Sequence, residues 1–111
     1  MKEDQEWYIG IYGIEASKPD KLPDVEEVKL CEKWIKKFCE LQKGKSEIYS
    51  SYQFKHYVEN YYDTYISNGA FIQAMFNQGY VVYPNSVNAN FNVWPRKWKE
   101  YLKEEKRRLK K

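Results

Sequence analysis

The 111-residue sequence predicts a single small α+β domain. Three observations carry that expectation. Apolar residues recur at helical spacing in three stretches between residues 25 and 78. Alternating apolar and polar residues lie on either side of a Pro84-Asn85-Ser86 turn. The 11 Tyr, 5 Phe and 4 Trp supply an aromatic content that disordered chains lack.

The elements follow in order. Residues 1–6 are polar and read as frayed. From Trp7 to Tyr12, the residues Trp7, Ile9 and Ile11 alternate with Tyr8, Gly10 and Tyr12, which predicts a short N-terminal strand. The stretch 16–23, with Pro19 and Pro23, reads as a loop. Asp24, with Glu27 three residues on, has the pattern of a capping box. Val28, Cys31, Ile35 and Phe38 then form one apolar stripe, widened by Leu30, Trp34 and Leu41. Gly44 is the expected stop, so the first helix is placed at 25–42.

Glu47-Ile48-Tyr49 reads as a brief extended piece. Ser50 with Gln53 repeats the capping box, and Phe54, Tyr57, Val58 and Tyr61 make the core face of a second helix over 51–62. After the connection 63–66, Ser67 caps a third helix over 68–78. Phe71, Ala74, Met75 and Gln78 share its inner face, with Ile72 and Phe76 beside them and Gly79 at its end. Tyr80–Tyr83 predicts a strand. Ala89, Phe91 and Val93, alternating with Asn88, Asn90 and Asn92, predict its hairpin partner. Pro95 suits the first turn of a last helix over 96–110, whose apolar positions are only Trp98, Tyr101, Leu102 and Leu109.

The formal charge of +3 is unevenly spread. Residues 95–111 hold nine basic and three acidic side chains, whereas residues 1–94 hold ten basic and thirteen acidic. Residues 46–94 carry only Glu47, Lys55, Glu59 and Asp63 as formal charges, yet they hold eight Tyr and all seven Asn. Tyr and Asn are common on binding faces. No apolar run approaches the roughly 18–20 residues of a membrane span, and no leader pattern opens the chain. The expectation is a soluble, cytoplasmic protein. Cys31 and Cys39 lie about 12 Å apart along one predicted helix, too far for a disulfide, so they read as buried free thiols.

Helix, short extended piece, helix, tight connection, helix, hairpin is the order of a winged helix. In that architecture the third helix meets a DNA major groove and the hairpin touches the backbone. The run Tyr52-Gln53-Phe54-Lys55-His56, then Ile66-Ser67-Asn68-Gly69-Ala70-Phe71-Ile72-Gln73-Ala74-Met75 and Gly79-Tyr80, resembles small winged-helix modules of phages and mobile elements. It is similar in rhythm to the module that closes some phage and plasmid primase–helicases. The resemblance covers about residues 50–93. It implies a winged-helix-like domain over 1–94, with an N-terminal strand added, followed by a basic helix over 95–111. This sequence departs from DNA-binding winged helices in having no Arg or Lys on the third helix or the wing.

Two binding readings result. For nucleic acid, Ser67 and Asn68 stand at a helix N-terminus, where backbone amides favour phosphate, and Gln73 and Asn77 carry amides suited to adenine. Arg96, Lys97, Lys99, Lys103, Lys106, Arg107 and Arg108 would track phosphates without sequence preference. The plain alternative is a solvated helix, with Glu100 paired to Lys103 and Glu104 to Arg108. For a protein partner, including a second copy of the chain, the candidates are Tyr62, Tyr65, Tyr80, Tyr83, Asn90 and Asn92. The first reading is a non-enzymatic accessory or regulatory protein of a phage or mobile element. The second is an inhibitor or adaptor for host takeover or anti-defence, acting through the Tyr/Asn face.

Catalysis finds little footing. His56 is the single histidine, and Glu59 and Asp63 have routine surface spacing. Gly10 and Gly13 are followed by no Lys-Ser/Thr, so no phosphate-cradling loop is expected. Two Cys and one His fall short of a four-ligand zinc site. Neither a cofactor, a metal nor a small-molecule substrate is expected.

Overall fold

The computed structural model describes residues 6–110, which form four helices and small antiparallel sheets in an α+β arrangement. Of the frayed start expected over 1–6, all but Glu6 lies outside the described residues. β1 (Tyr8–Gly10) and β2 (Gly13–Glu15) form a tight hairpin, with Ile9 opposite Ile14. The single strand expected over 7–12 is therefore corrected to a hairpin. The reversal uses Gly13, whose φ of 132° is open to glycine but strained for other residues.

α1 (Val25–Phe38) begins at Asp24, whose carboxylate accepts from the Glu27 amide at 3.1 Å. It ends four residues earlier than its apolar stripe suggests. Cys39 is extended, and β3 (Glu40–Leu41) pairs with β6 (Val93–Trp94). Strand pairing with a distant segment thus wins over helical propensity, leaving Leu41 exposed. Ser46 and Gln42 extend that ladder by donating to Phe91 O and Asn92 O, each at 2.8 Å. The extended piece expected at 47–49 is absent. The extended residues lie earlier, at β3, with one further bridge from Ser50 to Asn90.

α2 (Ser51–Tyr62) starts with the reciprocal Ser50–Gln53 capping box, and α3 (Asn68–Asn77) with the Ser67 cap. Phe76, expected beside the core face of α3, is instead exposed. β4 (Val82–Asn85) and β5 (Asn88–Phe91) form the second hairpin. Pro84 and Asn85 belong to β4, so the expected turn shifts to Ser86–Val87, with Ser86 at φ 60°. α4 (Arg96–Leu109) follows Pro95.

The largest fully buried side chains are aromatic. Trp34 is fully buried and touches Phe38, Phe54, Tyr57, Phe71 and Trp98, so its indole contacts a ring from every helix. Trp98 is 3% exposed and carries the first turns of α4 into that core, where Tyr101 stacks on it at 5.2 Å. Beyond Tyr101 the helix is mostly exposed. Among the described residues, no helix is long and apolar enough to cross a membrane. Trp98→Ala is expected to cost about 3–5 kcal/mol and to release α4. Urea unfolding, with amide exchange across 96–109, checks both effects.

Candidate nucleic-acid interface

The N-terminus of α3, the expected phosphate site, is closed by its own chain. Ser67 N–H donates to Glu27 Oε1 (2.9 Å), and Ser67 Oγ accepts from Ala70 N–H (3.1 Å). Asn68 Nδ2 faces Tyr12 O (3.0 Å), Asn88 Oδ1 (3.0 Å) and Val87 O (3.3 Å). Gly69 N–H donates to Ile11 O (3.1 Å). The β1–β2 hairpin lies so near that a Cβ on Gly69 would sit 1.8 Å from Gly10 O. Ser67 and Asn68 are buried, with the Ser67 N–H and the Asn68 side-chain N–H groups bonded internally and Asn68 Oδ1 without a partner among the described residues. Gln73 and Asn77 remain at the surface, but Gln73 donates to Asn77 Oδ1 and Asn77 to Glu32 Oε2 (3.0 Å). A carboxylate there opposes phosphate.

The basic residues of α4 divide into committed and free groups. Arg96 bridges Glu40 and Glu100 (2.8 Å to the latter), tying the helix start to β3. The hydrogen bond from Arg96 holds the Glu40 carboxyl below its ordinary value against the opposing effect of desolvation, and the charges of Arg96 and Lys97 add to the lowering. The Arg96 guanidinium is held above its own ordinary value by Glu40. Lys99 lies over the Tyr49 ring at 5.4 Å. Arg107 pairs with Glu104 (2.6 Å) and Arg108 with Glu105, replacing the pairs expected from spacing. These pairs are exposed, so they are weak and exchange readily. Lys97, Lys103 and Lys106 make no ion pair among the described residues.

Sequence reasoning missed the partner wall. An open groove of about 620 Å³ runs between the end of α1 and α4, lined by Lys37, Phe38, Lys97, Tyr101, Lys103 and Arg107, with Glu100 and Glu104. Lys37 lies far from the basic tail in sequence, and only the docking of Trp98 brings them together. The signal present was the basic last turn of α1, Lys36 and Lys37.

The Tyr/Asn candidates are spread over α2, the α2–α3 connection and the β4–β5 hairpin with its flanking residues, where Tyr83 and Asn90 are cross-strand partners. Asn90 is 7% exposed and donates to Ser46 O (2.9 Å) and Tyr49 O (3.1 Å), which makes it a brace for the loop before α2. Asn92 Oδ1 accepts from Val81 N–H. Tyr62 packs on Tyr61, and burial pushes its hydroxyl up, with smaller contributions from Tyr61 and Cys31. Tyr80 lines a cleft with Glu32 and Lys36, whereas Tyr83 sits under Lys45. Tyr65 is exposed near Lys55. Among the described residues, no ring contact joins any two of these four tyrosines.

A second polar cluster was equally hidden. Glu59 accepts from Lys55 Nζ (2.9 Å) and Ile66 N–H (3.0 Å), and its other oxygen lies 2.9 Å from His56 Nδ1. Lys55 also donates to Ile66 O (3.1 Å), which fixes the α2–α3 connection. Burial alone would raise the Glu59 carboxyl. The Ile66 amide, Lys55 and His56 outweigh it and hold the group below its ordinary value. Cys31 and Cys39 are buried free thiols, each pushed up chiefly by burial. Among the described residues no group of three or more His, Cys, Asp or Glu could hold a metal ion.

Two substitutions test this account. Gly→Ala within a helix ordinarily gains about 0.5–1 kcal/mol. Gly69→Ala is expected to reverse that sign, because the hairpin backbone must move; urea unfolding measures it. Glu59→Gln leaves the Lys55 ammonium without its counter-charge. It should cost about 2–3 kcal/mol at neutral pH, discounted because the Glu59 side chain stays 18% exposed. A depressed carboxyl stabilises above its unfolded-state value and loses that contribution as pH falls through its folded value. The gap between parent and variant should therefore narrow on acidification, which urea midpoints across the carboxylate range would show.

Searches for similar proteins found that no family model, no curated protein and no solved structure matches the chain.

Proposed function

We propose that the protein is a small non-enzymatic nucleic-acid-binding accessory domain of winged-helix type, which holds phosphates on α4. The observation that carries the reading is the set of exposed, unpaired ammonium groups on α4, Lys97, Lys103 and Lys106, the first two sharing a groove with Lys37. Such an array supplies a sequence-independent attraction for a phosphate chain.

The fold supports the finer description through its connections. Three helices precede a hairpin, β3 lies between the first two helices, and β3 pairs back onto the strand that leaves the hairpin. The resemblance of residues 50–93 to modules of phage and plasmid replication proteins points the same way, to an accessory role on a mobile element. The departure lies in which helix does the work. With Ser67, Asn68 and Gly69 bound to the chain's own backbone and side chains, nucleic-acid binding passes from α3 to α4.

A second reading, an inhibitor or adaptor for a protein partner, has one observation in its favour. Tyr52 and Tyr65 are exposed on either side of Lys55, with ring centroids 5.7 and 5.1 Å from its ammonium. An aromatic pair of that kind suits a protein contact.

Salt dependence separates the two. With about four phosphates engaged, affinity for DNA should fall on the order of 10²-fold between about 50 and 200 mM salt. Fluorescence anisotropy with labelled duplex and single strands measures it. Absence of binding to both at the lower salt would discard the nucleic-acid reading and leave the protein-partner one.

A further inference from the structure

We infer that the groove between α1 and α4 is the path of one unpaired strand of nucleic acid, with phosphates on Lys37, Lys97 and Lys103 and a base against Tyr101. The inference rests on the nucleic-acid reading above and adds to it the form of the ligand. Three features of the groove lead there.

The first is charge. Lys37 stands on one wall; Lys97, Lys103 and Arg107 stand on the other. Glu100 and Glu104 share the groove, paired with Arg96 and Arg107, so Arg107 offsets Glu104 and the positive surplus comes from Lys37, Lys97 and Lys103. Positive charge on both sides of a trough suits a polyanion lying within it. A flat basic face would suit one lying across it.

The second is shape. The open groove lies where α4 leaves α1 beyond the Trp98 contact, and Lys106 and the C-cap Lys110 stand exposed outside its lining. A single strand is thinner and more pliable than a duplex, so it suits a path along that lining from Lys37 to Lys103.

The third is the floor. Phe38 and Tyr101 line it, and Tyr101, half-buried, rests with its ring nearly parallel to Trp98 at 24°. A fixed tyrosine beside lysines is the combination that single-strand sites use, since every base has a face to stack and the cations follow the backbone. Tyr101 is held in place by Trp98, Phe38 and Tyr61, so no ordering cost attends its use.

Lysine acetylation footprinting of the intact chain, read by mass spectrometry with and without a homothymidine oligonucleotide, tests the path directly. Lys37, Lys97 and Lys103 should be protected, while Lys18 and Lys43 stay as reactive as in the free protein. Anisotropy on Lys37→Glu provides the second readout. Single-strand affinity should drop at least about 5-fold, and its salt slope should fall by about 0.7 for each phosphate no longer held. Duplex affinity should stay within about 2-fold, and Lys18→Glu, the same charge change in the 16–23 loop, should alter neither. Thermal melting shows that both variants fold. If Lys37 is acetylated as fast with the oligonucleotide as without it, while Lys106 is protected, the groove is overturned and the basic-helix reading survives. Equal loss of duplex and single-strand affinity in Lys37→Glu overturns the single-strand assignment. If the parent protein binds neither form, the broader reading falls with it.

Discussion

The fold turns on the packing of two indoles. Trp34 is fully buried in α1 and meets Trp98 of α4 at 5.3 Å in an edge-on arrangement. Around that pair, Phe54 and Tyr57 come from α2 and Phe71 from α3. Aromatic pairs of this geometry are worth about 0.5–1.5 kcal/mol beyond their buried area. Phe54 stacks on Phe71 at 4.9 Å and both reach Phe91, so the β4–β5 hairpin rests on the same cluster. The indole N–H groups of Trp34 and Trp98 are buried without a hydrogen-bond acceptor. Rings pack around both indoles, and burial of that aromatic surface opposes the cost of the two unpaired N–H groups.

One consequence reaches the surface. Because Trp98 sits one turn into α4, the helix is fixed at its start and free beyond Tyr101. The Arg96–Glu40 pair adds a second link at the same end, joining the helix to β3. Docking therefore sets the angle at which the basic outer half leaves the body. It also brings Lys37 alongside Lys97 and Lys103. An α4 held by its far end would separate those charges.

How much of this was legible in the sequence depended on the range of each interaction. The Asp24, Ser50 and Ser67 caps were readable because a cap is closed within three residues. The Phe54-Tyr57-Val58-Tyr61 stripe was readable because its spacing matches the helical repeat. The end of α1 was not, since Cys39–Leu41 carry a helical pattern and turn extended only because Val93 and Trp94 lie beside them. Asn90 looked like part of an outward amide face, and the alternation was real. The loop before α2 folds over that face and accepts both N–H donations of the amide. Likewise, a Ser-Asn-Gly start to a helix signals an anion site only if nothing covers it. Here the small side of Gly69 is what lets Gly10 and Ile11 approach. The same residues that suggested an open N-terminus are those that permit its closure.

That closure and the charge division belong together. The α3 side of the molecule combines Glu27 and Glu32 with neutral amides, and neither α3 nor the β4–β5 hairpin carries a cation. A phosphate approaching there would meet carboxylates and spent donors. On the α1–α4 side, acidic groups are bound to arginines and the remaining charges are ammonium groups on flexible stems. Ammonium groups keep their water until an anion displaces it, so they attract at distance without fixing an orientation. Attraction of that kind selects for charge density and not for base sequence. The absence of basic residues from α3 then ceases to count against nucleic-acid binding. Under the proposed reading α3 is a structural helix, and a phosphate chain would be held where the lysines of α4 lie beside Tyr101.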